Sequence, residues 1–332
     1  MAKINRRAFS KMALSLALSG CGAATRENGS GTGIPLILDS DIGDDIDDTW
    51  ALLMLLRSPE LDLKLVVSDY GNATYRCRLF AKLLELTGRT DIPIAMGLGH
   101  DDEPGRQSAW IGDYQLGDYP GRIHEDGVQT LIDTIKGSRQ PVTLMCIGPV
   151  PNIAEALRRD PSIAENARFI GMHGSVRVGY GGAPEPAAEW NVKVDAQSLQ
   201  QVFAAPWDCT ITPLDTCGLV RLKGEKYQKI ARSDDPWLRA LLENYRVFLP
   251  LAPFIEPGTH PDKNSTTLFD TVAIYLAYDQ DFVEMEDLPL RVTDDGYTVI
   301  DSEAGRNVHC AMGWKDLAAF EDALVDRLLG AG

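Results

Sequence analysis

Six aspartates fall within ten residues in the stretch Asp39-Ser40-Asp41-Ile42-Gly43-Asp44-Asp45-Ile46-Asp47-Asp48. Carboxylates packed this densely repel one another unless water or a cation offsets their charge. A hard divalent ion such as Ca²⁺ or Mg²⁺, which takes oxygen ligands, is the natural partner. The plainer alternative is a solvated acidic turn in which Asp47 or Asp48 caps a helix. Other polar groups that could serve such a centre recur directly after apolar runs: Asn72, the Ile147-Gly148-Pro149 stretch and Met172-His173-Gly174.

The elements around these groups explain why their positions matter. Residues 34–38 form an apolar run before the acidic stretch, and residues 50–56 form a second one behind it. That order reads as a strand, an acidic loop and a buried helix. Residues 63–68, 92–96, 142–147, 168–172 and 209–214 read as further strands, with helical stretches at 74–86, 128–135, 153–157 and 198–203. Residues 98–123 have no clean period and read as a long loop, a length that in a compact domain usually carries function. Residues 223–248 and 267–278 read as helices, residues 288–293 and 297–300 as a hairpin around Asp294-Asp295-Gly296, and residues 314–329 as a closing helix. Apolar strands alternating with helices predict an α/β fold: an open, mainly parallel, doubly wound (Rossmann-like) sheet with helices on both faces and a C-terminal β-hairpin. In such sheets ligands bind beyond the carboxyl ends of the strands, where the polar groups named above would gather.

The chain has 332 residues and a formal net charge of −16. This charge argues against a partner rich in phosphate, such as nucleic acid, and against adhesion to anionic lipid through surface charge. Residues 1–20 are read as an export signal rather than as fold. Asn5-Arg6-Arg7-Ala8-Phe9-Ser10-Lys11 resembles a twin-arginine signal, and Leu18-Ser19-Gly20-Cys21 resembles a lipobox in which Cys21 is lipidated. Residues 21–33, rich in Gly, Ser and Thr, are read as a flexible tether, and residues 34–332 as one domain. The expected location is therefore outside the cytoplasm, periplasmic or on the cell surface, with membrane contact only through the lipid on Cys21. The remaining five cysteines show no C-x-x-C spacing. Cys209 and Cys217 could pair, but buried free thiols fit as well.

Several blocks, in order, resemble the inosine–uridine-preferring nucleoside hydrolase family. The acidic loop is similar to its D-x-D-P-G-x-D-D motif, and Gly71-Asn72 to its second strand end. Val142-Thr143-Leu144-Met145-Cys146-Ile147-Gly148-Pro149-Val150-Pro151-Asn152-Ile153-Ala154 resembles V-T-L-x-x-x-G-P-L-T-N-I-A, and Ala188-Glu189-Trp190-Asn191-Val192-Lys193-Val194-Asp195 resembles A-E-F-N-x-x-x-D. Leu268-Phe269-Asp270 stands where the family has a short pattern ending in Asp. The resemblance implies hydrolysis of the N-glycosidic bond of a ribonucleoside or related N-riboside, giving ribose and free base, with one bound Ca²⁺. It also implies that Asp41, Asp48, Asp270 and the carbonyl of Ile147 hold the metal, with Asp41 as general base. Asp47, Asn72, Glu189 and Asn191 would grip the ribose, and Asp39 would orient a ligand. The implied partner is a small-molecule nucleoside or N-riboside, and the reading leaves room for a homo-oligomer.

Three departures from the family pattern stand out. The acidic motif is two residues longer than usual. Matching Ala51-Leu52 makes Asp47 and Asp48 its final pair, with Asp44 or Asp45 as alternative metal ligands. Ala183 stands where many members carry Asn. Phe269, which cannot donate a proton, stands where well-studied members carry His. His260 is taken as the expected leaving-group acid, with His173, His124 and Tyr245 as alternatives, and Trp190 or Trp110 as a surface on which a base could stack. Two other functions compete: a phosphatase built on Asp39-Ser40-Asp41, for which the chain lacks a convincing downstream set, and a lipoprotein that binds a sugar or nucleoside through the metal without cleaving it.

Overall fold

The computed structural model describes residues 33–331. The export signal and almost all of the tether lie outside these residues. Ten strands are described: β1 Ile34–Ser40, β2 Leu61–Ser68, β3 Ile94–Ala95, β4 Ile123–His124, β5 Val142–Cys146, β6 Ala167–Met172, β7 Cys209–Thr212, β8 Val283–Val292, β9 Thr298–Ile300 and β10 Arg306–Trp314. They form one sheet in the order β4-β3-β2-β1-β5-β6-β7-β10-β8-β9. All pairs from β4 to β10 are parallel, and β10–β8 and β8–β9 are antiparallel. This is the doubly wound α/β sheet expected from the alternation of strands and helices.

Two apolar layers cover the sheet, and the strand period decides which residue joins which. In β1, Leu36 and Leu38 pack into one layer with the helices Asp47–Leu56, Ala73–Leu86, Pro236–Phe248 and Phe269–Leu276. Ile37 packs into the other, with the helices Gly127–Gly137, Pro151–Arg159 and Ala196–Ala204. Each buried Leu or Ile contributes roughly 1.5–3 kcal/mol. A slip of one residue would turn every side chain of β1 to the wrong face, so this packing also fixes where Asp39, Ser40 and Asp41 point. The five cysteines of the described residues are all buried and unpaired, so Cys209 and Cys217 form no disulfide.

Two expectations need correction. The helix expected at 223–248 is two helices, Gly224–Ala231 and Pro236–Phe248. The break lies at Asp235-Pro236, where the Asp235 carboxylate accepts from the Trp237 and Leu238 amides and caps the second helix. The C-terminal hairpin is present as β8 and β9, but β10 joins it and lies between β7 and β8. Its alternation is hidden in the sequence by a register shift between Ala311 and Gly313, as expected where a bulge interrupts the strand period. No helix among the described residues is long and apolar enough to cross a membrane.

Strand order reverses at β1: β2 follows it on one side, while β5, much later in the chain, lies on the other. The crevice beyond the ends of β1 and β5 is therefore the topological switch point, where open α/β sheets bind ligands.

Candidate active site

The acidic loop leaves β1 at this switch point. Ile42 and Ile46 are fully buried and pin the loop onto the core. Gly43 turns the chain with φ +101°, a conformation that disfavours side chains, and a Cβ there would lie 2.5 Å from the Leu79 side chain. Arg76, on the next helix, donates to the carbonyls of Asp41, Ile42 and Tyr70. A buried guanidinium thus holds the loop through its backbone and leaves the carboxylates to face the crevice.

Asp47 and Asp48 open the helix Asp47–Leu56, and Asp270 opens the helix Phe269–Leu276. Carboxylate oxygens of Asp47, Asp48 and Asp270 lie within 4.8 Å of one another, and each residue is 3% exposed. The Ser40 hydroxyl donates to Asp48 Oδ1 at 2.6 Å, and the Asp270 amide donates to Asp47 Oδ2 at 3.3 Å. Burial, reinforced by the neighbouring carboxylates, pushes Asp48 and Asp270 well above the usual carboxylate range. Burial also raises Asp47 to about 6. Asp41, directly after β1, rises to about 7 through burial, with Arg76 pulling against it. Three buried carboxylates facing one point, all with oxygen donors, are what a hard divalent cation needs.

The pocket over this floor has a volume of about 690 Å³. Asp41, Asp47, Asp48, Asp270, Ile147, Glu189, Asn191 and Trp190 all line it, so eight of the ten expected site residues meet there. Glu189 caps the helix Trp190–Val194, and its carboxylate accepts from the amides of Gly174, Asn191 and Val192. Burial outweighs these donors and lifts it to about 7. Asn191 Nδ2 donates to the carbonyls of Ile147 (3.3 Å) and Met172 (3.1 Å), tying the ends of β5 and β6 together. The Ile147 carbonyl keeps a second lone pair for another partner. Trp190 is 48% exposed at the rim.

Two expected residues are placed elsewhere. Asn72 caps the helix Ala73–Leu86: its Oδ1 accepts from the Tyr75 amide at 2.9 Å, and its Nδ2 donates to the Glu103 carbonyl at 3.1 Å. Its side chain is thus committed to the backbone, and it does not line the pocket. His260 is 53% exposed and is likewise outside the pocket lining. Its Nδ1 accepts from the Asp262 amide, which holds a local turn. Among the alternatives, His173 is fully buried with Nε2 on the Gly148 carbonyl, and burial lowers it to about 4. The buried Tyr245 hydroxyl is committed to the Asn264 carbonyl. Asp44 is engaged by Arg106 at 2.6 Å, and Asp45 accepts from the Ile46 amide, which leaves Asp47 and Asp48 as the pair that meets Asp270.

Asp39 follows the strand period and lies on the opposite face from Ser40. It accepts from Asn152 Nδ2 at 2.9 Å and sits with Asp69 and Cys146 in a second buried group. Both Asp69 oxygens lack a donor among the described residues, and burial raises Asp39 to about 8 and Asp69 well above its ordinary value. A proton kept in this pair explains how two carboxyl groups can share the space beneath the site. Ser40, Arg76, Asn152 and Tyr180 were not assigned roles from the sequence. Ser40 alone carried a readable signal, lying one residue before a ligand candidate at a strand end.

The family model for inosine-uridine preferring nucleoside hydrolases matches residues 36–322. A pyrimidine-specific ribonucleoside hydrolase RihA from Shigella boydii is 27% identical over 319 residues, 89% of this chain and 98% of the relative. One from Escherichia coli O127:H6 is 29% identical over 230 residues, 65% of this chain and 71% of the relative. In structure, a plant nucleoside hydrolase, PpNRh1, superposes with TM-score 0.75 at 20% identity, covering 89% of this chain and 99% of that one. A purine-preferring ribonucleoside hydrolase from Gardnerella vaginalis gives TM-score 0.71 at 23% identity, covering 90% and 98%. These likenesses run the length of the sheet that carries the carboxylates, and the chain belongs to the inosine-uridine preferring nucleoside hydrolase family, hydrolases that act on N-glycosyl bonds.

Proposed function

We propose that this enzyme hydrolyses the N-glycosidic bond of a ribonucleoside or related N-riboside with the help of one Ca²⁺, giving ribose and free base. The observation that carries the reading is the meeting of Asp270 with Asp47 and Asp48, 222 residues away along the chain at the nearest, beside Asp41 and the Ile147 carbonyl. Asp41, Asp48, Asp270 and the Ile147 carbonyl would hold the ion, with Asp47 beside them. When bound, the ion supplies charge neutralisation and Lewis acidity toward oxygen ligands.

The remaining chemistry belongs to the chain. Asp41, raised toward neutrality by burial, is suited to take a proton from the attacking water. Asp47, Glu189 and Asn191 face the sugar. The backbone amides on Glu189 hold its carboxylate in one orientation, so no reorganisation is needed as charge develops. Fixed carboxylates in a buried pocket favour a sugar that becomes positively charged, as in an oxocarbenium-like transition state.

Relatives include a pyrimidine-specific and a purine-preferring enzyme, so likeness alone selects neither base. The twin-arginine-like and lipobox-like motifs support an exported enzyme tethered through a lipid on Cys21. The proposal is tested by incubating purified protein with a nucleoside panel and measuring free ribose, with and without Ca²⁺. Ribose release that needs the ion supports it. Tight nucleoside binding without ribose release would show a binding protein instead.

A further inference from the structure

Phe269 leaves the reaction without a proton donor beside Asp270, yet the pocket sets a tyrosine ring against that of Phe269. Tyr180 lines the same pocket and meets Phe269 edge-on, with ring centroids 6.2 Å apart and planes at 85°. It sits at the tip of the Gly-rich loop after β6. Gly181 and Gly182 there have φ of +63° and +80°, and the loop closes on itself through the bond from the Gly179 amide to the Ala183 carbonyl. The Trp190 amide donates to the Tyr180 hydroxyl at 2.8 Å. That bond uses the oxygen as acceptor, while the hydroxyl proton has no acceptor among the described residues and is available to a ligand.

We propose that Tyr180 is the catalytic residue that hydrogen-bonds the departing base, in place of an acid at position 269. This rests on the reading above that the pocket cleaves an N-riboside. Tyr180 is 43% exposed as a residue, but partial burial and the nearby Glu189 carboxylate still push its hydroxyl above its ordinary value, so it keeps its proton. Its role is therefore to stabilise developing charge rather than to transfer a proton outright. The C1′–N bond breaks with its electron pair on the base, and the water oxygen bonds to C1′. One water proton passes to Asp41, and the base, held by Tyr180, is protonated from solvent as it leaves. Of the other donors, Arg106 spends its Nε and Nη1 on the Leu251 carbonyl and the Asp44 carboxylate, His260 stands outside the pocket, and Lys193 at the rim is tested directly below.

The test compares Tyr180→Phe with the wild-type enzyme, loaded with Ca²⁺, on two leaving groups. One is whichever of inosine, uridine, cytidine or adenosine the wild type cleaves fastest. The other is 4-nitrophenyl riboside, whose nitrophenolate departs without assistance. Tyr180→Phe is expected to lose about 100-fold in kcat on the nucleoside and to change less than about threefold on the aryl riboside. Phe269→His in the Tyr180→Phe background is expected to recover part of the nucleoside rate. Equal losses on both substrates, or no loss on the nucleoside, would overturn the assignment. So would a leaving-group-dependent loss in Lys193→Gln, the other donor at the rim, with none in Tyr180→Phe. Aryl riboside cleavage by the wild type with no nucleoside cleavage would overturn it as well. If the wild type cleaves neither class of substrate, the N-riboside reading itself fails.

Discussion

At the floor of the pocket Asp41, Asp47, Asp48 and Asp270 are at most 5% exposed and lie at a strand end and two helix starts. At the rim Trp190 and Phe254 are 48% and 55% exposed, on a short helix and a loop. Floor groups are oriented by hydrogen bonds from Ser40 and the Asp270 amide and by a loop that Arg76 grips. At the rim the Phe254 ring meets the buried Phe248 ring edge-on and lies beside Arg106, whose guanidinium is 4.9 Å from its centre. In the proposed function the polar, hydrogen-bonded floor takes the sugar end of the substrate, and the more apolar rim takes the base.

Changes at the floor should therefore cost far more than changes at the rim. Asp41→Asn removes the base while keeping the shape, and kcat is expected to fall by about 10²–10⁴, with an unaltered circular dichroism spectrum. Retention of a tenth or more of the wild-type rate would remove Asp41 from that role. Ser40→Ala deletes the hydroxyl that orients Asp48, and calcium titration should show affinity weakened by about 10–100-fold. An unchanged affinity would mean that Asp48 is positioned by its helix alone.

A third difference is linked to pH. Asp47 and Asp41 have folded values of about 6 and 7, above the unfolded value near 3.8. A carboxyl raised in this way binds its proton more tightly when folded, so metal-free protein loses stability as pH rises from about 4 to 7. Calcium competes with those protons, so the rise in Tm it causes should be larger at pH 8 than at pH 5. The opposite ordering in a thermal scan would contradict the raised values. Smaller still is Trp190→Ala, expected to raise KM by about 2–10-fold for a stacked base while kcat holds. Asn72→Ala should have the least catalytic effect. Loss of a helix cap costs about 1 kcal/mol of stability, read by urea unfolding, and kcat/KM should move less than twofold. A large drop in kcat/KM would return Asn72 to the ribose site.

The same contrast governs what could be read from the sequence. Floor carboxylates were legible because they follow an apolar strand and precede an apolar helix, and strand ends gather at one edge of a parallel sheet. Asp270 required the family pattern, since no local signal says that a helix start after 222 intervening residues reaches Asp47. For Asn72 the sequence is ambiguous, because a cap and a ligand present the same residue type after a strand, and only the bond from the Tyr75 amide marks the cap. His260 is suggested by its titration range and by its place just before the Asp270 helix, but neither encodes where the loop sets its side chain. Tyr180 stayed hidden for the same reason: its hydroxyl matters through the turn at Gly181-Gly182 and the ring it meets, both tertiary facts. β10 was missed because its register shift breaks the alternation on which strand reading depends.

The most direct test of the account is ribose release from a cleaved nucleoside after chelation and after calcium is restored, in the wild type and in Asp41→Asn. Wild-type release is expected to stop on chelation and to return with calcium, while Asp41→Asn, which keeps Asp48, Asp270 and the Ile147 carbonyl, releases little ribose even at saturating calcium. Wild-type release that persists undiminished in chelator, or full activity in Asp41→Asn, would contradict it.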